Sequence, residues 1–171
     1  MNHLSREFAV RLTGRVLPAV ALPSTRGGSI ELDRIHPNSF VLFIYPRTGR
    51  PDAAESPEWS IIPGAKGCTA ETCEFRDLAA DYASRGYGLY GLSSHDAEDQ
   101  SEASTRLHLP YPLLSDVDLV VAESLDLPTF EFEGARLYTR STLVVQDGAI
   151  ARAFVGVENA ADHPRQLLAD L

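Results

Sequence analysis

Cys68 and Cys73 are the only two cysteines of this 171-residue chain, and they stand together in Gly67-Cys68-Thr69-Ala70-Glu71-Thr72-Cys73. Thiolates are the nucleophilic form of cysteine, so a pair spaced this closely points to shared redox chemistry. The residues that follow say how each would be placed. Phe75, Leu78, Ala79, Tyr82 and Ala83 recur at i, i+3, i+4, i+7 and i+8, one apolar stripe at helical period. Running that helix back from Phe75 puts Cys68 in or just before its first turn, on the buried side. Unpaired backbone N–H groups and the positive end of the helix dipole favour a thiolate there. At 3.6 residues per turn Cys73 lies about 140° further round, away from the stripe. Cα atoms five apart on an ideal helix are about 8.7 Å apart, beyond the ~7 Å limit for a disulfide. A bond between the two therefore requires the first turn to unwind. The pattern predicts one anchored nucleophile and one reserve thiol, separated by a local unfolding event.

Other readings of the pair are a buried structural couple or half of a zinc site. Two cysteines cannot close a zinc site alone, and the five histidines show no ligand spacing around them. No metal and no cofactor are expected. Glu71 and Glu74 fall early in the helix, where carboxylates support helix formation but would oppose a nearby thiolate.

The chain that must position these residues is acidic, with a net charge of −9, which argues against nucleic acid or an anionic membrane surface as partner. Its 44% apolar content is ample for the core of one domain spanning residues 1–171. No apolar run approaches the ~20 residues of a membrane span. Glu7, Arg11 and Arg15 interrupt the only stretch that could resemble a signal peptide. A cytoplasmic location is expected, where a stable structural disulfide would be unusual and a cysteine pair is more often catalytic or redox-sensing.

Residues 1–15 read as a short amphipathic segment, and Leu17 to Leu32, with Pro18, Pro23 and Gly27-Gly28, as a β-hairpin at a sheet edge. Phe40 to Tyr45 is a continuous apolar run, the mark of a strand covered on both faces, ended by Pro46. Residues 47–67 carry Pro51, Pro57 and Pro63 and read as a long ordered loop, with Trp59, Ile61 and Ile62 to bury. Tyr87 to Ser94 is a second buried strand. A polar helix over 97–108 and a short one over Leu119–Leu127 flank the apolar Leu113-Leu114. Hairpins are expected around Glu133-Gly134 and Asp147-Gly148, and a closing helix from Pro164. His95 and Asp96 read as a solvated loop. The order predicts an α/β, thioredoxin-like arrangement, a mixed central sheet with helices on both faces.

Tyr45-Pro46, then Gly67-Cys68-Thr69 with Cys73 and Phe75-Arg76-Asp77, resembles the peroxiredoxins, nearest the bacterioferritin-comigratory or Q type. Gly91-Leu92-Ser93, Pro112-Leu113-Leu114-Ser115-Asp116 and Arg140-Ser141-Thr142-Leu143 follow in the order that resemblance requires, over about residues 15–171. It implies a thiol peroxidase in which Cys68 attacks a peroxide and becomes a sulfenic acid. Cys73 then resolves it to a disulfide, and a thioredoxin-like or other thiol reductant recycles it. Arg140 would support the thiolate and Pro46 shape the cysteine loop.

The sequence departs from the family pattern before Cys68, where the usual hydroxyl position is Ala65 and residues 47–66 separate Pro46 from the cysteine as an insertion. Thr48 would return a hydroxyl if the segment folds back, and Thr69 adjoins the nucleophile. The expectation is that residues 47–66 cover Cys68, with Trp59, Ile61 and Ile62 screening it and favouring bulky organic hydroperoxides over hydrogen peroxide. The alternative is a subunit contact in a homodimer. Two other readings stand beside peroxidase activity: a redox-regulated binding protein of this fold, and dithiol exchange on proteins, for which the spacing is C-x4-C rather than C-x-x-C.

Overall fold

A computed structural model describes residues 3–171 of the protein. In chain order the elements are α1 (His3–Leu12), β1 (Ala21–Pro23), β2 (Ser29–Glu31), β3 (Phe40–Ile44), α2 (Pro57–Ile61), α3 (Cys68–Asp77), α4 (Ala79–Ser84) and β4 (Gly88–Ser93). They continue as α5 (Ala97–Arg106), β5 (Leu113–Ser115), α6 (Val120–Leu125), β6 (Thr129–Phe132), β7 (Ala135–Tyr138), β8 (Ser141–Gln146), β9 (Ala149–Val155) and α7 (His163–Asp170).

Every residue of β3 is buried, as its unbroken apolar run requires, and β3 takes the middle of a five-stranded sheet ordered β5-β4-β3-β8-β9. β4 and β5 run parallel to it; β8 is antiparallel to β3, and β9 antiparallel to β8. Alternate side chains go to opposite faces. Leu42 and Ile44 join Leu12 of α1 and Val121 and Leu125 of α6 in one core. Val41 and Phe43 join Phe75, Tyr82 and Leu167 of α3, α4 and α7 in the other, with Phe43 stacked on Phe75 at 4.4 Å between centroids. This is the mixed sheet with helices on both faces that the element order predicts. The two Xaa-Gly hairpins also form where expected, with Glu133-Gly134 and Asp147-Gly148 all in the left-handed region.

Two expectations need correction. The stripe from Phe75 to Ala83 is not one helix: Leu78 leaves helical geometry (φ −99°, ψ 4°) between α3 and α4. Phe75, Leu78 and Tyr82 still reach the same core, so the period survives a break it cannot register. Residues 47–67 are not only loop, since Pro57 starts α2, a position where proline's fixed φ suits a helix. The expected hairpin at a sheet edge forms as β1–β2, a two-stranded sheet that meets edge strand β5 through Ser24 beside Leu114 and a Thr25 N–H to Leu113 O bond of 3.1 Å. Of the expected 1–15 segment, the first two residues lie outside those described, and α1 takes up His3–Leu12. No helix among the described residues is long and apolar enough to cross a membrane.

Two features of this frame place the site. The β3–β8 register pairs Ile44 with Ser141, so Tyr45-Pro46 and Arg140 leave the sheet side by side. α3 then packs against the same face through Phe75.

Gly91 shows how closely these layers meet. A Cβ there would lie 2.5 Å from Leu113 Cδ2 and 2.9 Å from Phe43 Cζ. Gly91→Ala should lower unfolding stability by about 1–3 kcal/mol through overpacking. Urea denaturation checks this; an unchanged midpoint would show that Leu113 and Phe43 move aside freely.

Candidate active site

Cys68 is the first residue of α3 and is 3% exposed. The turn that brings it there runs through Gly67, at φ 102°, where a Cβ would also press to 3.0 Å from that of Ala160. Glycine is the residue that takes this conformation without strain. No side chain caps the helix start, so the dipole's positive end is left to the sulfur.

Arg140, one residue before β8, is the hub of the site and is 1% exposed. Its Nη2 donates to Cys68 Sγ at 3.0 Å. The same nitrogen lies 3.4 Å from the carbonyls of Ala65 and Lys66, and Nε donates to Gly64 O at 3.0 Å. Nη1 donates to Glu71 Oε2 in an ion pair with both side chains fully buried. One planar cation thus binds the Cys68 sulfur, the turn before it and a carboxylate one turn later. A guanidinium suits this role because its five donors sit in a fixed fork.

Neighbouring groups complete a polar lining inside an apolar shell. Tyr45 donates its hydroxyl to Gln100 Oε1 at 2.7 Å, and Gln100 Nε2 donates to Leu114 O at 3.0 Å. Ser93 Oγ donates to Pro46 O at 2.8 Å, fixing the chain where β3 ends. His163 Nε2 lies 2.9 Å from Thr142 Oγ1.

Burial pushes the Cys68 thiol up. The charge and hydrogen bond of Arg140 and the Arg47 backbone N–H pull it down and Glu71 pushes it up again, and the net shift is upward. Cys68 Sγ is 3.6 Å from Ala65 O, a distance at which a thiol can donate. Glu71 is raised to about 7 by burial, against the pull of Arg140. For Arg140 burial acts downward, but Glu71 and Cys68 outweigh it and the net shift is upward. His163 is pushed down to about 4 by burial and by Arg140.

The structure brings Cys68, Arg140 and the end of β3 at Pro46 into one place. Thr69 follows Cys68 on α3 and is half-buried, its carbonyl accepting from Thr72 Oγ1 at 3.0 Å. Cys73 is half-buried rather than turned away, packed at the margin of the core that holds Cys68, and both thiols are free. Thr48 is buried and lines a cavity of about 330 Å³ with Arg47, Arg50, Ser56 and His95.

The expected apolar screen forms differently. Trp59 is 2% exposed, packed on Phe130 and Phe132 with the Arg47 guanidinium over its ring. Ile62 follows it into that cluster, while Ile61 is 78% exposed and screens nothing. The β6–β7 hairpin offers two aromatic rings, which is why the segment folds toward it. Ala65, in the same cluster, ties that packing to the turn before Cys68.

Glu71 is the residue that sequence reasoning undervalued. Cys68, Glu71, Thr72 and Phe75 all lie on the buried stripe of α3 at i, i+3, i+4 and i+7. A carboxylate on an apolar stripe was the available signal, since such a group needs a buried partner. His95 is also half-buried, its Nδ1 without a hydrogen-bond partner, where a solvated loop was expected.

The sequence pattern of the Redoxin family matches residues 12–171. A Mycobacterium tuberculosis protein named as a peroxiredoxin is 30% identical over 170 residues, covering 94% of this chain and 96% of its own. The crystal structure of peroxidoxin BcpB from the same organism matches with a TM-score of 0.71 at 28% identity, covering 92% of this chain and 94% of that one. A structure of the Xanthomonas campestris bacterioferritin comigratory protein, described for alkyl peroxide reduction, has a TM-score of 0.71 at 22% identity over 90% and 93% of the two chains.

The Glu71 environment has a measurable consequence for stability. With its carboxyl raised from 4.5 to about 7, the folded state binds the proton more tightly than the unfolded chain across that window. Its contribution is complete below about 4.5 and is lost as pH rises through about 7. His163, held down to about 4, works in the opposite sense, losing stability as pH falls from 6.5. The difference between Glu71→Gln and wild type isolates the first effect. Glu71→Gln should gain stability relative to wild type as pH rises from 4.5 to 7; a difference independent of pH would contradict the assignment.

Proposed function

The chain belongs to the Redoxin family as a peroxiredoxin of the bcp/Q kind, and from that premise we propose that its Cys68 thiolate reduces hydrogen peroxide or organic hydroperoxides with Cys73 as resolving thiol. The protein is a thiol peroxidase. The observation that carries the residue assignment is the buried Cys68 sulfur at the start of α3 with Arg140 Nη2 3.0 Å away.

The steps follow from that geometry. Cys68 attacks the terminal oxygen of the hydroperoxide, the O–O bond breaks, and an alkoxide or hydroxide leaves and takes up a proton. Arg140 offsets negative charge as it moves from sulfur to the leaving oxygen, in a site that excludes water. The product is Cys68 sulfenic acid. Cys73 then attacks that sulfur, water leaves, and the Cys68–Cys73 disulfide forms. Both residues lie on intact α3, so this step requires its start to unwind, since sites five apart on a helix are about 8.7 Å apart.

Cys68, a residue 3% exposed, is reached by a small hydroperoxide and not by a folded protein's disulfide, which favours peroxidase chemistry over dithiol exchange as the first event. Unwinding exposes the disulfide to a thioredoxin-like or other thiol reductant, as a compartment with reduced thiols, such as the cytoplasm, supplies. Because Trp59 and Ile62 pack on the hairpin, they give no apolar wall for a bulky tail.

Cys68→Ser should abolish peroxide consumption. Cys73→Ser should still take one oxidation to sulfenic acid, read by mass spectrometry with a sulfenate trap. First oxidation lost in Cys73→Ser and kept in Cys68→Ser would reverse the assignment.

A further inference from the structure

Arg140 faces two acids at once. Its Nη2 binds Cys68 and its Nη1 binds Glu71, and all three side chains are removed from water. A thiolate, a carboxylate and one guanidinium sum to a net negative charge, and an uncompensated buried charge is strongly unfavourable. Of the cations near the cluster, Arg47 lays its guanidinium over the Trp59 ring and Lys66 is exposed, so among the described residues Arg140 is the only buried lysine or arginine. Tyr45 at the end of β3, Tyr82 on α4 and Tyr111 before β5 sense these charges, and burial raises all three phenols, so they stay neutral. His163 on α7 faces Arg140 and is neutral at pH 7. Gln100 on α5 carries no charge. Glu71 Oε1 is buried and has no hydrogen-bond partner, a situation much costlier for a carboxylate than for a neutral acid.

We infer that Cys68 and Glu71 hold a single proton between them across Arg140, which makes Glu71 a positioning residue that stores the proton the thiol gives up. This rests on the reading of Cys68 as the attacking thiolate. Two arrangements share one net charge: thiol with carboxylate, and thiolate with carboxylic acid. The pair therefore titrates as a unit rather than as two separate groups. The peroxide step then balances within the protein. Cys68–S⁻, Glu71–COOH and ROOH give Cys68–SOH, Glu71–COO⁻ and ROH. The sulfur is oxidised, the O–O bond is reduced, the hydroperoxide's own proton ends on the sulfenic acid, and the stored proton offsets the leaving alkoxide. Arg140 keeps one anion to compensate before and after.

The test uses the full chain in a Cys73→Ser background, so that Cys68 is the only thiol. Glu71→Gln should lower the Cys68 pKa, followed by thiolate ultraviolet absorbance, by about 1–3 units, the range a neighbouring charge produces. In protein that keeps Glu71, the infrared difference between peroxide-oxidised and reduced states near pH 7 should show a carboxylic-acid C=O band lost and a carboxylate band gained. Glutamate carrying 13C identifies the band, and the measurement needs no variant at Glu71. A Cys68 pKa unchanged or raised by Glu71→Gln, or sulfenic acid formed with no change in the carboxyl region, would overturn the shared proton. Failure of the peroxidase reading looks different: no sulfenic acid appears, while the pKa comparison, which uses no peroxide, still decides the sharing.

Discussion

The guanidinium of Arg140 stays in the protein interior only because its N–H groups find acceptors there. Cys68 Sγ, Glu71 and the carbonyls of Gly64, Ala65 and Lys66 supply them. That requirement reaches outward in every direction. It fixes the turn before α3, which in turn needs Gly67 in the left-handed region, and it fixes the first turn of α3 through Glu71. The cation itself is placed by the β3–β8 register, which sets Arg140 beside Tyr45. Removing one partner of such a buried pair would leave an uncompensated charge, at a cost of about 3–5 kcal/mol.

The same contacts create a tension that the chemistry exploits. Arg140 binds the carbonyls of the residues that lead into α3, so it holds closed the turn that must open for Cys73 to reach Cys68. While Cys68 is an anion, the cation is bound to both the sulfur and that turn. Once the sulfur is a neutral sulfenic acid, the attraction between Arg140 and Cys68 weakens, and one tie on the helix start weakens with it. The tie through Glu71 to the first turn of α3 remains, and the unwinding must also break it.

Much of this was legible in the chain. The apolar run of β3, the Xaa-Gly turns and the stripe of α3 specify the sheet, the hairpins and the buried position of Cys68, because each is a local pattern with a direct physical meaning. Arg140 was legible only through a family resemblance, since its neighbour in space is 72 positions away in sequence. Glu71 was visible as an acid near a thiol, but its pairing depends on where a distant strand delivers its cation. The turning of Trp59 toward Phe130 and Phe132 was not legible, because a loop's apolar residues show what they need to bury and not against which surface. The break at Leu78 escaped for a related reason: a one-residue interruption leaves the apolar period intact.

The central claim is that the charge of Arg140 favours the Cys68 thiolate inside a site where burial and Glu71 oppose one. The direct measurement is the ionisation of Cys68, followed by thiolate absorbance against pH, in Cys73→Ser protein with and without Arg140→Met. Loss of the cation should raise the Cys68 pKa by about 1–3 units and slow its oxidation near neutral pH accordingly. Since Glu71 loses the same partner, native near-ultraviolet dichroism confirms that the variant being titrated is folded. An unchanged pKa in folded Arg140→Met would contradict the account.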